Sequence, residues 1–276
     1  VRAGRLAGNA LRYAVIVLAI SFFGFPLFWI AATSLKLPEE YSTYPPTYLP
    51  SQPHLNHYVR SFGPAGEAAR ALRDSFVVSS GTVVLTLLLG ATTAYSMARF
   101  NTGGGQLSFW VLSQRIMPPV AAILPIFLLY RTVGLVDTYV GLILLHTVFN
   151  LPICIWMLRS YFVEVPVEVE ESALIDGATR AQVLRYVTLP LAAPGLIATM
   201  IFVFIFSWTE FVFALVLTRN NVLTLPVLMG RFFGAQTYEW GAASAVGVVA
   251  TLPIVLLGLL VRKHFVRGIT MGAIKS

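Results

Sequence analysis

Charged residues make up only 11% of this 276-residue chain, so the places where they gather are where chemistry could be done. Glu168, Glu170, Glu171 and Asp176 fall in one short stretch, whose core reads Glu170-Glu171-Ser172-Ala173-Leu174-Ile175-Asp176-Gly177-Ala178. The stretch is the main polar interruption in the second half of the chain and reads as two short helices with a hinge. Pro166 suits a helix start, where its missing N–H does no harm. The three glutamates place negative charge on the positive end of the helix dipole. Gly177 supplies a left-handed stop, and Thr179-Arg180-Ala181-Gln182 fits a capping box that opens the second helix. Leu189-Pro190-Leu191 and Pro194-Gly195 follow. A polar hairpin held at a membrane surface needs a partner to cover it. The chemistry it suggests is docking.

Catalytic arrangements are missing elsewhere. Gly103-Gly104-Gly105 lacks the Gly-Lys-Ser/Thr ending of a phosphate-binding loop and reads as a flexible turn. Cys154 is the only cysteine and lies in an apolar run, so it gives neither a disulfide framework nor a metal site. Arg115 and Glu210 also lie in apolar runs, where ionisable groups are expensive and default to functional hypotheses. Each reads in two ways. Either could line a water-filled pathway, shared with Asn150 and with His146 four residues before it. Alternatively, Arg115 bonds carbonyls freed by Pro118 and Pro119, and Glu210 sits near the outer headgroups. Their depths differ too much for a direct ion pair, and His146 reads as a structural residue. Trp208 and Phe211 could stack on a ring of a bound solute or anchor the span at the interface.

The elements that must position these residues are membrane helices. The chain is 57% hydrophobic, with a mean hydropathy of +0.77, and it carries well under the usual quarter of charged residues. Residues 13–35, 75–98, 138–158, 186–209 and 240–261 contain no Asp, Glu, Lys or Arg. Each reaches the roughly 20 residues that span a bilayer. A sixth run, 107–130, is interrupted only by Arg115. The expected fold is therefore an all-α membrane protein of six transmembrane helices with a cytoplasmic hairpin over about 164–190. The first run is too long for a signal-peptide core and reads as a retained helix. With the N-terminus inside, Lys and Arg are more frequent at inner helix ends, from Arg2, Arg5 and Arg12 to Lys275, than at outer ones, from Lys36 to Arg231. Both termini are then cytoplasmic.

Three parts follow: residues 1–70, a first span with an outer Pro- and Tyr-rich loop; 71–263, the main transmembrane domain; and 264–276, a cytoplasmic tail. Pro118, Pro119, Pro125, Pro152 and Pro253 are expected to break their helices locally. The net charge of +7 is scattered over helix ends rather than gathered in a stripe, which argues against nucleic acid. The hairpin occurs once, whereas many transporters contain two related halves, so a second subunit is expected to supply the other half.

The hairpin resembles the EAA signature of binding-protein-dependent ABC importer permeases, here Glu171-Ser172-Ala173-Leu174-Ile175-Asp176-Gly177 with Val187-Thr188-Leu189-Pro190 downstream. Ser172 departs from the pattern, a small residue for a small one. Met117-Pro118, Leu124-Pro125, Gly134-Leu135-Val136-Asp137-Thr138 and Ser207-Trp208-Thr209-Glu210-Phe211 are similar to the sugar-importing branch that includes the maltose importer, with Thr209 where Asn is usual. So is the tail Arg267-Gly268-Ile269-Thr270-Met271-Gly272-Ala273-Ile274-Lys275.

The resemblance implies a type I ABC importer permease in a bacterial or archaeal inner membrane. It implies a homologous second permease, two ATPase subunits that carry ATP and Mg, an external solute-binding protein, and a sugar substrate. It places Glu168, Glu170, Glu171, Ser172, Ala173, Leu174, Asp176 and Gly177 at the ATPase contact, with Glu170 and Glu171 meeting basic or amide groups of the partner and Ala173 and Leu174 forming an apolar ridge. The tail reads either as a regulatory contact with the ATPases or as a basic terminus on anionic lipid. A permease for a non-sugar solute, an ion-coupled carrier that uses Arg115, Asn150 and Glu210, and a membrane scaffold are the competing classes. This chain is expected to bind no cofactor and to be no enzyme by itself.

Overall fold

An apolar chain in lipid must satisfy every backbone N–H and C=O within itself, which leaves the helix as the local solution. The computed structural model describes residues 2–116, 118–233 and 239–272. Among them every regular element is helical: α1 (Arg2–Thr33), α2 (Asn56–Phe62), α3 (Ala68–Arg99), α4 (Gly104–Ser113), α5 (Pro119–Thr132), α6 (Tyr139–Glu164), α7 (Val167–Ile175), α8 (Arg180–Val183), α9 (Leu189–Leu191), α10 (Ala193–Trp208), α11 (Val212–Leu217), α12 (Leu225–Arg231) and α13 (Trp240–Gly272), with short 3-10 and π turns between them.

Among the described residues four stretches are long and apolar enough to cross a membrane: Leu11–Thr33 in α1, α3, α6 and Trp240–Val261 in α13. The runs 107–130 and 186–209 each contain a bent helix pair: the first breaks at Pro118 and Pro119 as expected, and the second is corrected, since it breaks at Ala192 where a continuous span was expected. In the first, α4 and a 3-10 turn end at Ile116, Pro118 is extended (φ −61°, ψ 127°), and Pro119 opens α5. In the second, Arg180–Leu191 meets Ala193–Trp208 at 84°. The physical reason is the same in both. A proline fits a first turn without loss and costs a hydrogen bond deeper in a helix, so here the helix stops and restarts around it. Pro125, Pro152 and Pro253 instead lie inside continuous helices, against the expectation that they break them. Met117 and Ala273-Ile274-Lys275, parts of two motifs named above, lie outside the described residues, and α13 carries the tail backbone to Gly272.

The chain divides into two compact units, Val1–Ala69 with Leu228–Pro253, and Arg70–Val227 with Ile254–Ser276. In the first, the segment after α1 is ordered around two charged side chains. Lys36 is buried, donates to the Thr47 carbonyl and lies 4.1 Å from the Trp29 ring centroid. Glu40 accepts from the N–H groups of Leu37 (2.9 Å) and Ser51 (2.8 Å). In the second unit, α3, α6 and α10 come close through small residues, as helices in lipid must when no hydrophobic drive separates them from the solvent. A Cβ on Gly90 would lie 2.5 Å from Cys154 Sγ, and one on Gly195 would lie 2.2 Å from the Tyr161 ring.

One carboxylate ties the turn before α6 to the turn after α11. Asp137, at φ +59°, accepts the N–H groups of Arg219 (2.9 Å), Asn220 (3.0 Å), Asn221 (2.9 Å) and Val222 (3.2 Å). Burial alone would push its pKa up, but these four donors hold it below the ordinary value. Asp74 works beside it, accepting from Leu223 N–H (3.0 Å) and the Tyr139 hydroxyl (2.8 Å). Asp137→Ala is expected to destabilise the protein by about 1–3 kcal/mol and to speed amide hydrogen exchange selectively at 219–222. Because the folded pKa is depressed, the contribution is complete above the ordinary Asp range near pH ~4 and is lost as pH falls through the folded value. Exchange at 219–222 that is unchanged by the substitution would contradict this.

Candidate functional site

The hairpin is built from a sequence of enforced stops. Pro166 bars the helical conformation to the residue before it, and Val165 is accordingly extended (φ −72°, ψ 124°), which ends α6 at Glu164. Pro166 caps α7 from outside, and the helix starts at Val167. Gly177 takes φ +89°. Around it, Ala178 N–H bonds the Ala173 carbonyl and Gly177 N–H the Leu174 carbonyl, both at 3.0 Å. This is the paired bonding of a left-handed helix terminus. The Thr179 capping box forms, with Thr179 N–H on Gln182 Oε1 (2.7 Å) and Gln182 N–H on Thr179 Oγ1 (3.4 Å). α8 then widens into a π turn, Leu184–Thr188, closed by Leu189 N–H on the Leu184 carbonyl.

Glu170 departs from its expected place. It is 1% exposed, so its carboxylate meets groups of this chain and not of a partner. Arg99, the last residue of α3, grips it in two prongs: Nε to Oε2 and Nη2 to Oε1, each 2.9 Å. The Tyr95 hydroxyl, one turn earlier on α3, donates to Oε2 (3.2 Å), and Thr188 Oγ1 donates to Oε1 (2.7 Å). Arg99 Nη2 also reaches the Val165 carbonyl at 2.9 Å. The reason is helical phase. A nine-residue helix lying against its neighbours must turn one side inward, and Glu170 is on that side. Burial pushes the Glu170 pKa up, but the donors from Arg99, Thr188 and Tyr95 outweigh it and leave the group below the ordinary range.

The outward side of α7 carries Glu168, Glu171 and Ser172, with Asp176 and Gly177 exposed just beyond. Ser172 Oγ donates to the Glu168 carbonyl at 2.8 Å. Ala173 and Leu174 are half-buried. The exposed apolar groups are instead Val167, Val169 and Ile175, the last 86% exposed. Glu168, Glu171, Ser172 and Ile175 repeat at helical spacing and form one stripe. Sequence reading missed Tyr95, Arg99, Thr188 and Ile175. Arg99 offered the one usable signal, a lone basic residue at the end of an apolar run.

Of the residues suspected of lining a pathway, His146, Asn150 and Glu210 come together, whereas Arg115 bonds elsewhere. Arg115 Nη1 donates to the Phe149 carbonyl on α6 (2.8 Å), and its guanidinium lies 4.7 Å from the Phe206 centroid. The carbonyl it bonds is thus on another helix, not one freed by Pro118 or Pro119. Asn150 is buried and donates back to the His146 carbonyl (2.7 Å). His146 is a core residue, with Nδ1 2.8 Å from Ser207 Oγ and Nε2 3.4 Å from Glu210 Oε2. Glu210 accepts the N–H groups of Phe213 (2.8 Å) and Ala214 (3.1 Å), capping α11. Trp208 is neither at a sugar-facing surface nor an interface anchor. It is 3% exposed and stacks on Phe204 at 5.3 Å. No group of three or more metal-ligating side chains occurs among the described residues.

Residues 84–271 match the family described as Binding-protein-dependent transport system inner membrane component. The chain belongs to this family. The match takes in the end of α3, the whole hairpin and the start of the tail. The Trehalose transport system permease protein SugB of Mycobacterium tuberculosis is 35% identical over 275 residues, covering 98% of this chain and 99% of its own. The Sulfoquinovosyl glycerol transport system permease protein SmoH of Agrobacterium fabrum is 34% identical, covering 98% and 95%. A chain in the crystal structure of a bacterial ABC transporter involved in the import of the acidic polysaccharide alginate superposes with a TM-score of 0.77 over 96% of this chain and 98% of that one, at 21% identity. That likeness gives the fold of an importer permease, and the chain is a membrane-spanning component of that type.

Glu170→Ala leaves the Arg99 guanidinium buried without its carboxylate. It is expected to cost about 3–5 kcal/mol, read as a lowered thermal unfolding midpoint in detergent. The exposed neighbour Glu171→Ala is expected to stay within about 0.5 kcal/mol of the parent. Equal effects of the two would mean that Glu170 holds the hairpin no more than Glu171 does.

Proposed function

We propose that the chain is one of two homologous permease subunits of an ATP-driven importer for a carbohydrate: an oligosaccharide, a glycoside or a sugar alcohol. The observation that carries this reading is the outward stripe of α7. Glu168, Glu171, Ser172 and Ile175 combine charge with an exposed apolar side chain, on a helix whose other side is locked to α3. Such a face suits a cytoplasmic groove with basic and amide donors around an apolar floor. Two ATPase subunits supply that groove, bind ATP and Mg, and carry out the hydrolysis. An external solute-binding protein delivers the cargo, and both termini lie on the cytoplasmic side of a bacterial or archaeal inner membrane. The sugar class rests on the named transport systems of SugB and SmoH and on the sugar-branch motifs of the chain. Arg115, exposed on this chain and planar at its tip, is the side chain that reaches the pathway. Asn150, Trp208 and Glu210 shape the helices behind it.

Two measurements test the reading. The chain, expressed with its genomic neighbours and placed in lipid nanodiscs, is expected to retain ATPase subunits and to hydrolyse ATP faster with a loaded binding protein. Ile175→Asp is expected to abolish ATPase retention without shifting the melting midpoint of the isolated chain. Retention at the parental level in that variant would rule out the α7 stripe as the contact. Arg115→Ala is expected to raise the KM for uptake several-fold with assembly intact, and an unchanged KM would confine Arg115 to holding α6.

A further inference from the structure

The buried cluster around Glu170 does more than the docking reading asks of it. Docking needs an outward face, and Glu170 contributes nothing to that face. A charged carboxylate and a guanidinium, with side chains 2% and 8% exposed, are expensive groups to place in an interior. They are positioned where four segments meet: the end of α3 through Tyr95 and Arg99, the end of α6 through the Val165 carbonyl, α7 through Glu170, and the π turn through Thr188. Both prongs of Arg99 are used, one of them twice. The planar fork fixes direction as well as distance, which a lysine at the same place could not do.

The π turn belongs to the same arrangement. A π turn accommodates an extra residue within a helix and recurs at functional sites. Here it covers Leu184–Thr188, so Thr188 is its last member, and Thr188 Oγ1 contacts both Glu170 and the Val183 carbonyl (3.4 Å). Directly after it come Pro190 and the bend into α10. Glu170 is therefore bonded on one side to the long helix α3 and on the other to the strut that becomes α10. α7 cannot shift or tilt by a bond length without pulling on one or the other.

We propose that the Arg99–Glu170 pair, with Thr188, is the joint through which displacement of α7 is passed into α3 and α10. The three are positioning residues that connect the docking helix to the membrane helices, and they touch neither nucleotide nor solute. The inference rests on the permease reading above. It adds that the coupling of hydrolysis to transport depends on a contact wholly inside this chain.

The test uses the assembled transporter in nanodiscs or proteoliposomes and reads the number of ATP molecules hydrolysed per solute imported. Arg99→Lys keeps the charge but loses the fork and the bond to Val165. It is expected to retain its ATPase subunits and basal hydrolysis while uptake falls at least tenfold, so ATP per solute rises by that factor. Thr188→Val preserves shape and removes one donor. It is expected to raise the ratio in the same direction by about two- to threefold, with assembly unaltered. If uptake and hydrolysis fall in equal proportion in both variants, or if both variants fail to assemble, the cluster is a folding element and the inference is overturned. The parental complex measured alongside keeps the two readings separate. Absence of any bound ATPase there removes the permease reading itself, whereas an unchanged ratio in variants of a working complex removes only the joint.

Discussion

A carboxylate keeps its charge inside a protein only when donors replace the water it has lost, and the hairpin of this chain is organised by that requirement. Glu170 receives hydrogen bonds from Arg99, Tyr95 and Thr188. Each donor fixes a different piece of backbone: the last residue of α3, the turn before it, and the end of the π turn. The stop at Pro166, the left-handed Gly177 and the capping box at Thr179 set the length and direction of the hairpin's two arms. The ion pair sets where those arms sit. Without it the short helix α7 would have little to hold it, since isolated helices of that length are marginal in water. The outward stripe, and whatever it docks against, depends on an inward contact.

The membrane helices show how much of this could be read in advance. α1, α3, α6 and α13 were legible because lipid demands an uninterrupted apolar run and a run of that length has few other uses. The stops of the hairpin were legible for a different reason. Pro166, Gly177 and Thr179 act through local backbone geometry, which sequence carries directly. The bend at Ala192 was not legible, because apolarity is continuous across it; the break at Pro118 and Pro119 was expected, but so were breaks at three prolines that the helices run through. Pro125, Pro152 and Pro253 are tolerated within their helices, whereas Pro118 and Pro119 mark a break.

Side-chain partnerships were the least legible layer. Arg99 and Glu170 are 71 positions apart, and no local pattern links them. Periodicity showed that the glutamates of α7 lie on a helix. It could not show which of them turns inward, because that depends on the phase of a helix whose neighbours come from elsewhere in the chain. The same holds for Trp208, which was expected at a surface and lies against Phe204, and for Arg115, which spans to a carbonyl of α6. Family membership says what kind of assembly the chain is part of. It does not say which of its acids does the holding.

Three acids answer one recurring problem. Wherever this chain leaves a helix it exposes backbone N–H groups or a loose segment end, and near the edge of lipid water is an unreliable partner for either. Asp137 takes four N–H groups of the turn after α11. Glu210 takes two at the start of α11, after α10 stops at Trp208. Glu170 is the variation, because it takes side-chain donors and ties elements rather than capping one. Negative charge at a break is stabilised by the N–H dipoles it faces, which is why a chain with only 12 acids places Asp137 and Glu210 at its interruptions. The apolar lengths between the breaks need no such help, because a helix in lipid satisfies its own backbone and its side chains find partners by close packing.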